Sequence, residues 1–173
     1  MCGIFSLLFK NNTLSHDSII KSFSKGKNRG PEFSHIEIIN GSTNENNKLN
    51  IYFGFHRLAI NGLDSISNQP FHIDKISLIC NGEIYNYKEL FQLLNIQPVT
   101  NSDCEIIIHL YKKYGISYTL QILDGVFAFV LYDHEKKLYI SARDPYGVRP
   151  LYMLKHQKSI FKEIIYGFSS EIK

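Results

Sequence analysis

The chain has 173 residues, 44% of them apolar and 20% charged, with a net charge of +3. That length fits one domain, which buries roughly 70% of the surface its unfolded chain exposes, so no disulfide or metal is needed to hold a core. Three cysteines exclude a disulfide-dense scaffold, and the charge is too small and too evenly spread to imply a nucleic-acid partner, so none is expected.

The chain opens on a short apolar run with no basic residue before it, the reverse of a signal peptide. No apolar run approaches the ~18 residues of a membrane span, and the longest, 126–132, has the length of a strand. The expectation is a cytoplasmic, reduced protein with no membrane contact, in which the sequons at Asn11 and Asn40 are incidental.

In chain order, residues 2–9 predict a buried strand. Ser15 predicts the cap of a helix carrying Ile19, Ile20 and Phe23, which fades at Lys25-Gly26-Lys27. Asn28-Arg29-Gly30-Pro31 reads as a turn, 35–39 as a strand, and the Asn-rich stretch 40–50 as a loop between two strands. Strands follow at 51–60 and 75–80. Asn86 with Glu89 resembles a capping box ahead of Leu90, Leu93 and Leu94. Ser102-Asp103-Cys104-Glu105 is a full S-x-x-E box opening a helix faced by Ile106, Ile107, Leu110, Tyr111 and Tyr114. Strands at 126–132, 137–142, 151–154 and 164–168 complete the chain. Strands at both ends around two or three helices predict one α+β layered domain.

Common sites are absent from the sequence. There is no G-x-G-x-x-G, Walker loop, H-E-x-x-H or C-x-x-C, and no G-x-S-x-G elbow. The seven histidines are dispersed, so no metal is expected.

Cys2 stands out by position. With Met1 trimmed it would carry a thiol and a free α-amine on one Cα. An α-amine has an ordinary pKa of about 8, so it can take the thiol's proton near neutral pH, and one residue supplies nucleophile and base. The alternative is a small core residue in a first strand. Cys80 and Cys104 read as structural. Asn81-Gly82-Glu83, after the strand 75–80, offers a side-chain amide and a backbone N–H for a developing oxyanion, or else a plain Asn-Gly hairpin turn. Arg57, at the end of another strand, offers a bidentate fork for a carboxylate, or else a surface cation. Glu83 and Asp103 could take an ammonium. Of the 19 basic residues only four are Arg (Arg29, Arg57, Arg143, Arg149), which reads either as placement where a planar fork is needed or as chance.

Met1-Cys2-Gly3-Ile4, Arg29-Gly30-Pro31, Phe55-His56-Arg57-Leu58-Ala59-Ile60, Asn81-Gly82-Glu83-Ile84-Tyr85-Asn86, Ser102-Asp103-Cys104-Glu105, Asp124-Gly125-Val126-Phe127-Ala128-Phe129 and Arg143-Asp144-Pro145-Tyr146-Gly147-Val148-Arg149-Pro150-Leu151-Tyr152 occur in that order. Together they resemble the class II glutamine amidotransferase (N-terminal nucleophile) domain, most of all the glutaminase domain of asparagine synthetases, over nearly all of residues 1–173. The resemblance implies a four-layer αββα sandwich of two antiparallel sheets. It implies Cys2 as nucleophile, Asn81 and Gly82 as oxyanion hole, Arg57 for the glutamine α-carboxylate with contacts from Leu58 and Ile60, and Glu83 and Asp103 for the α-amine. The reaction implied is hydrolysis of L-glutamine to glutamate and ammonia through a thioester, with no cofactor.

The family's enzyme continues into an ATP- and magnesium-using synthetase domain, whose Ser-Gly-Gly loop is absent from these residues. That domain is the expected ammonia acceptor, in cis or in trans, and a homodimer is open. Two other expectations stand beside this one: the glutaminase half of amidophosphoribosyltransferase or glucosamine-phosphate synthase, and a glutamine-binding module without turnover. Asn28 stands where the family usually has His, and Asn61 where Val or Asp is common. Arg29, Arg143 and Arg149 fall in family motifs without an assigned role.

Overall fold

The computed structural model describes residues 1–10, 14–40, 49–158 and 163–172. Asn11 and most of the expected Asn-rich loop (41–48) lie outside them. Among the described residues the elements are strands β1 (Gly3–Lys10), β2 (Phe33–Asn40), β3 (Leu49–Arg57), β4 (Phe71–Ile73), β5 (Ile76–Ile84), β6 (Gly125–Asp133), β7 (Leu138–Arg143), β8 (Tyr152–Lys158) and β9 (Glu163–Ser169), and helices α1 (His16–Ser24), α2 (Tyr87–Leu94) and α3 (Ile106–Ile122). They form two antiparallel sheets, ordered β2-β3-β1-β9-β8 and β4-β5-β6-β7. The chain is an α+β sandwich, as the resemblance implied.

Alternation along the strands explains the layering. On β6, Ala128, Val130 and Tyr132 meet Ile4, Phe53, Phe55 and Ile79 between the sheets. The intervening Phe127, Phe129 and Leu131 pack under α2 and α3 with Leu90, Ile107 and Leu110. On the outer face of the first sheet, Leu7, Phe9 and Tyr52 meet Ile19 of α1. The order is therefore helix, sheet, sheet, helices. Strands covered on both faces have no polar side, which is why 51–53 and 126–132 read as continuous apolar runs.

Several boundaries differ from expectation. The strand expected at 51–60 stops at Arg57, and the one expected at 75–80 runs on through Asn81, Gly82 and Glu83 to Ile84. Asn81-Gly82 is thus no hairpin turn but the middle of a paired strand, in register with Ala128 and Phe127. The three-residue β4 had no periodicity to reveal it. The last helix extends past Tyr114 across a break at Gly115, whose φ of +78° suits a residue without Cβ.

Only one expected cap forms as drawn. Ser15 Oγ accepts from Ser18 N at 3.3 Å. Asn86 does not cap α2; its side chain donates to Ile122 O at 2.8 Å and accepts from Asp124 N at 3.1 Å, tying α2 to the end of α3. Ser102 caps a single 3-10 turn, Asp103–Glu105, through Cys104 N at 3.3 Å. Glu105 does not reach back to it. The Glu105 carboxylate is wholly buried and accepts from Val99 N at 2.7 Å, Thr100 N at 2.5 Å and His109 Nε2 at 2.9 Å. Burial pushes its pKa up, but these bonds outweigh burial and hold it below the ordinary range.

Two outcomes are expected. Glu105→Ala leaves buried amides unpaired and should cost about 2–4 kcal/mol in urea unfolding. Because the folded pKa is depressed, the wild-type contribution is full above the ordinary glutamate pKa and is lost as pH falls through the folded value; a variant with unchanged acid sensitivity contradicts this. Gly82→Ala would put a Cβ 2.5 Å from Val126 O and 2.6 Å from Phe127 Cα. Those are backbone atoms of β6 that cannot swing aside, so a loss of roughly 1–3 kcal/mol is expected by the same measurement.

Candidate active site

Chain termini usually fray, yet here the first residues are fastened from three sides. Strand β1 is flanked by β3 and β9. Ile4 N donates to Ser170 Oγ at 3.0 Å, and Ser170 N donates to Ile4 O at 3.0 Å. Arg29 Nε donates to Cys2 O at 2.9 Å, while its Nη1 lies 3.5 Å from Glu171 Oε1. Arg29 therefore fixes the backbone of Cys2, a role its motif alone did not reveal; its scarcity was the only signal.

The Cys2 thiol is half-buried against Leu58. Sγ lies 3.3 Å from Leu58 O, to which it donates, and 3.4 Å from Leu58 N. Burial pushes the thiol pKa up, partly offset by the Leu58 backbone bond and the chain's terminal ammonium. The nitrogen of Cys2 is in peptide linkage with the exposed Met1.

Cys2 opens onto a small cleft shared with Arg57, Leu58, Ile60, Gly82, Glu83 and Asp103. Residues up to 101 positions apart in the sequence are thus brought together, Cys2 to Asp103. Asn81 adjoins them on β5. It is 2% exposed, and its Nδ2 has no hydrogen-bond partner among the described residues. Alternation points this side chain toward the space between the sheets, the side on which Ile79 packs.

The edge of β5 explains Gly82. Strand β4 pairs only as far as Leu78, so the edge beyond needs other partners. Cys80 N donates to Gln69 Oε1 at 2.6 Å, and Cys80 O accepts from Gln69 Nε2 at 3.2 Å. Ile84 N donates to Asp103 Oδ2 at 2.6 Å. Backbone groups two residues apart face the same way, so the Gly82 N–H lies between these two on that edge. Its carbonyl takes a weak 3.8 Å contact from Cys104 Sγ. Phe127, opposite Gly82, spends both its backbone groups on Asp144: N to Oδ2 at 3.2 Å and O to the amide at 2.7 Å. Side chains from residues 69 and 103 thus frame one outward N–H.

Asp103 is 4% exposed. Burial pushes its carboxyl pKa up, opposed by the Ile84 amide and the Asn61 side chain and reinforced by the Glu83 charge. Asn61, which departs from the family pattern, thus touches a cleft carboxylate. Arg57 Nη1 donates to Asp64 O at 2.8 Å and Asn68 Oδ1 at 2.6 Å, and Nη2 donates to Gly62 O. These acceptors are uncharged, so no carboxylate among them neutralises the guanidinium. Glu83 Oε1 sits 3.1 Å from Arg149 Nη2. Sequence reasoning missed Gln69, and it named Asn61 and Arg149 without tying either to the cleft. Among the described residues no group of three or more His, Cys, Asp or Glu is placed to hold a metal, and no helix is long and apolar enough to cross a membrane.

Comparison with known proteins agrees with this geometry. A family model described as a glutamine amidotransferase domain matches residues 1–173. Over 156 residues, 88% of the chain, it is 44% identical to proteins named asparagine synthetase [glutamine-hydrolyzing] from Mesocricetus auratus and Homo sapiens. It is 42% identical to the one from Gallus gallus over the same share. The match covers 26% of each relative, so the chain spans about a quarter of the length of the curated relatives it matches. The match over the whole chain places it in the glutamine amidotransferase domain family.

Proposed function

We propose that this domain hydrolyses L-glutamine to glutamate and ammonia through a thioester on Cys2. The observation that carries the reading is the edge-facing Gly82 N–H on the cleft that Cys2 enters, next in the chain to Asn81 with its buried, unpartnered Nδ2. Two fixed donors beside a nucleophile are what a developing oxyanion needs.

The steps follow from the residues. Removal of Met1 frees the Cys2 α-amine, which takes the thiol proton. The thiolate attacks the side-chain amide carbon of glutamine, and the oxyanion rests on Asn81 Nδ2 and Gly82 N–H. The ammonium returns its proton to the leaving nitrogen, ammonia departs, and a water activated by the same amine cleaves the thioester. Arg57, whose acceptors are neutral, takes the substrate α-carboxylate beside Leu58 and Ile60. Glu83 and Asp103 take the α-ammonium. This half-reaction calls for no metal or cofactor.

The relatives' name supports the fate of the ammonia: an asparagine-forming acceptor, in cis or in trans, that uses ATP and magnesium. The three unpaired cysteines favour a reducing compartment, the cytoplasm.

The test is glutamate release from glutamine by protein whose N-terminus is shown by intact mass to begin at Cys2. Cys2→Ala should be inactive, and Asn81→Ala should lose about 10²–10³ in kcat. Full activity in Cys2→Ala, or none in the processed wild type, overturns the reading. In protein that keeps Met1 the Cys2 nitrogen is locked in a peptide bond and cannot act as base, so that form should also be inactive.

A pH effect follows from Asp103. Its folded pKa is raised, and only its ionised form attracts an ammonium. KM for glutamine should therefore begin to climb, as pH falls, at a higher pH than an ordinary carboxylate would give. Asp103→Asn should raise KM throughout and remove that limb of the profile; a wild-type KM flat down to the ordinary carboxylate range contradicts it.

A further inference from the structure

Residues 144–151 carry the chain from the last strand of one sheet, β7, to the edge strand of the other, β8. This crossing is built around Asp144, which is 2% exposed. Its carboxylate accepts four backbone N–H bonds: Phe127 at 3.2 Å, Tyr146 at 3.1 Å, Val148 at 2.9 Å and Arg149 at 3.1 Å. Burial pushes its pKa up, and these amides together overcome that and hold it below the ordinary range. A loop folded around one anion sets its last bonded residue firmly in place. That residue is Arg149.

Arg149 Nη2 lies 3.1 Å from Glu83 Oε1, and the two side chains are 13% and 31% exposed. Only Oε1 is engaged in this pair. Glu83 and Asp103 line the same cleft, and the Glu83 charge opposes ionisation of Asp103. Arg149 is the cation fixed on Glu83.

We propose that Arg149 is a positioning residue for recognition of the substrate's α-ammonium. It holds Glu83 by one oxygen and leaves the other for the substrate. A glutamate held in advance need not lose its rotamer freedom when substrate binds. The planar guanidinium sets direction as well as charge, which an ammonium cannot. This inference rests on the glutaminase reading above.

The test compares L-glutamine with 4-carbamoylbutanoate, the same molecule without the α-ammonium, on the chain with Met1 removed. Arg149→Met should raise KM for glutamine about tenfold, with kcat changed by less than about twofold. KM for the desamino compound should be unchanged. Arg149→Lys should show the same substrate-selective rise at smaller size. Combining Arg149→Met with Glu83→Gln should raise KM no further than Glu83→Gln alone, since one residue acts through the other. Equal losses on both substrates, as a loosened fold would give, overturn the proposal. So does a double variant whose effects simply multiply. A processed wild type that turns over neither substrate overturns the glutaminase reading instead.

Discussion

The site depends on holding a chain terminus still. A nucleophile that is also its own base must be the first residue of the processed chain, and first residues are ordinarily the least ordered. Here the strand after Cys2 lies in the middle of a five-stranded sheet, with β3 on one side and β9 on the other. The 27–30 turn reaches the Cys2 carbonyl through Arg29, and the far end of the chain clasps Ile4 through Ser170. About four-fifths of the described residues lie between Arg29 and Ser170, so the position of Cys2 is a property of the whole sandwich. Local sequence does not supply it.

The second half of the site is a strand whose edge is left open. Strand β4 pairs with three residues of β5 and then ends. Beyond that point the edge is completed by side chains, Gln69 at Cys80 and Asp103 at Ile84. A continuous partner strand would have consumed the Gly82 N–H along with its neighbours. Interrupting the ladder leaves one donor outward at low cost, because the groups on either side stay bonded. The glycine itself is dictated from behind, where the β6 backbone leaves no room for a Cβ. One residue thus answers a packing demand on one side and offers chemistry on the other.

Much of this was readable in the sequence, and the reason is physical. Strands covered on both faces leave apolar runs, a serine at the start of α1 caps it, and the ordered motifs carry Cys2, Arg57, Gly82, Glu83 and Asp103 into one cleft, with Asn81 next to Gly82 on β5. What escaped shares a different cause. Asn86 and Glu105 have the right side chains at the right spacing for caps, but tertiary donors compete for the same oxygens and win. The extension of β5 past Cys80 comes from its pairing with β6, a partner more than 40 residues away that no local pattern encodes. Periodicity reports which face is buried; it does not report which distant donor will occupy a polar side chain.

The four arginines bring these threads together. In a chain with fifteen lysines, a cation used only for its charge would be lysine by default. Two of the four arginines instead divide their guanidinium nitrogens between acceptors, and a third, Arg149, aims one at Glu83. Arg29 joins the Cys2 carbonyl to Glu171, Arg57 joins the neutral acceptors of the 61–68 loop, and Arg149 joins the 144–149 loop to Glu83. Each connects a segment that carries a site residue to one that does not, and each does so by direction as much as by charge. Arg143 makes no hydrogen bond of this kind among the described residues, and its guanidinium lies against Gly147 instead. Replacing a fork by an ammonium at the other three would preserve net charge while losing the angle at which two segments meet. The residues that set those angles are therefore as specific to the site as those that touch the substrate.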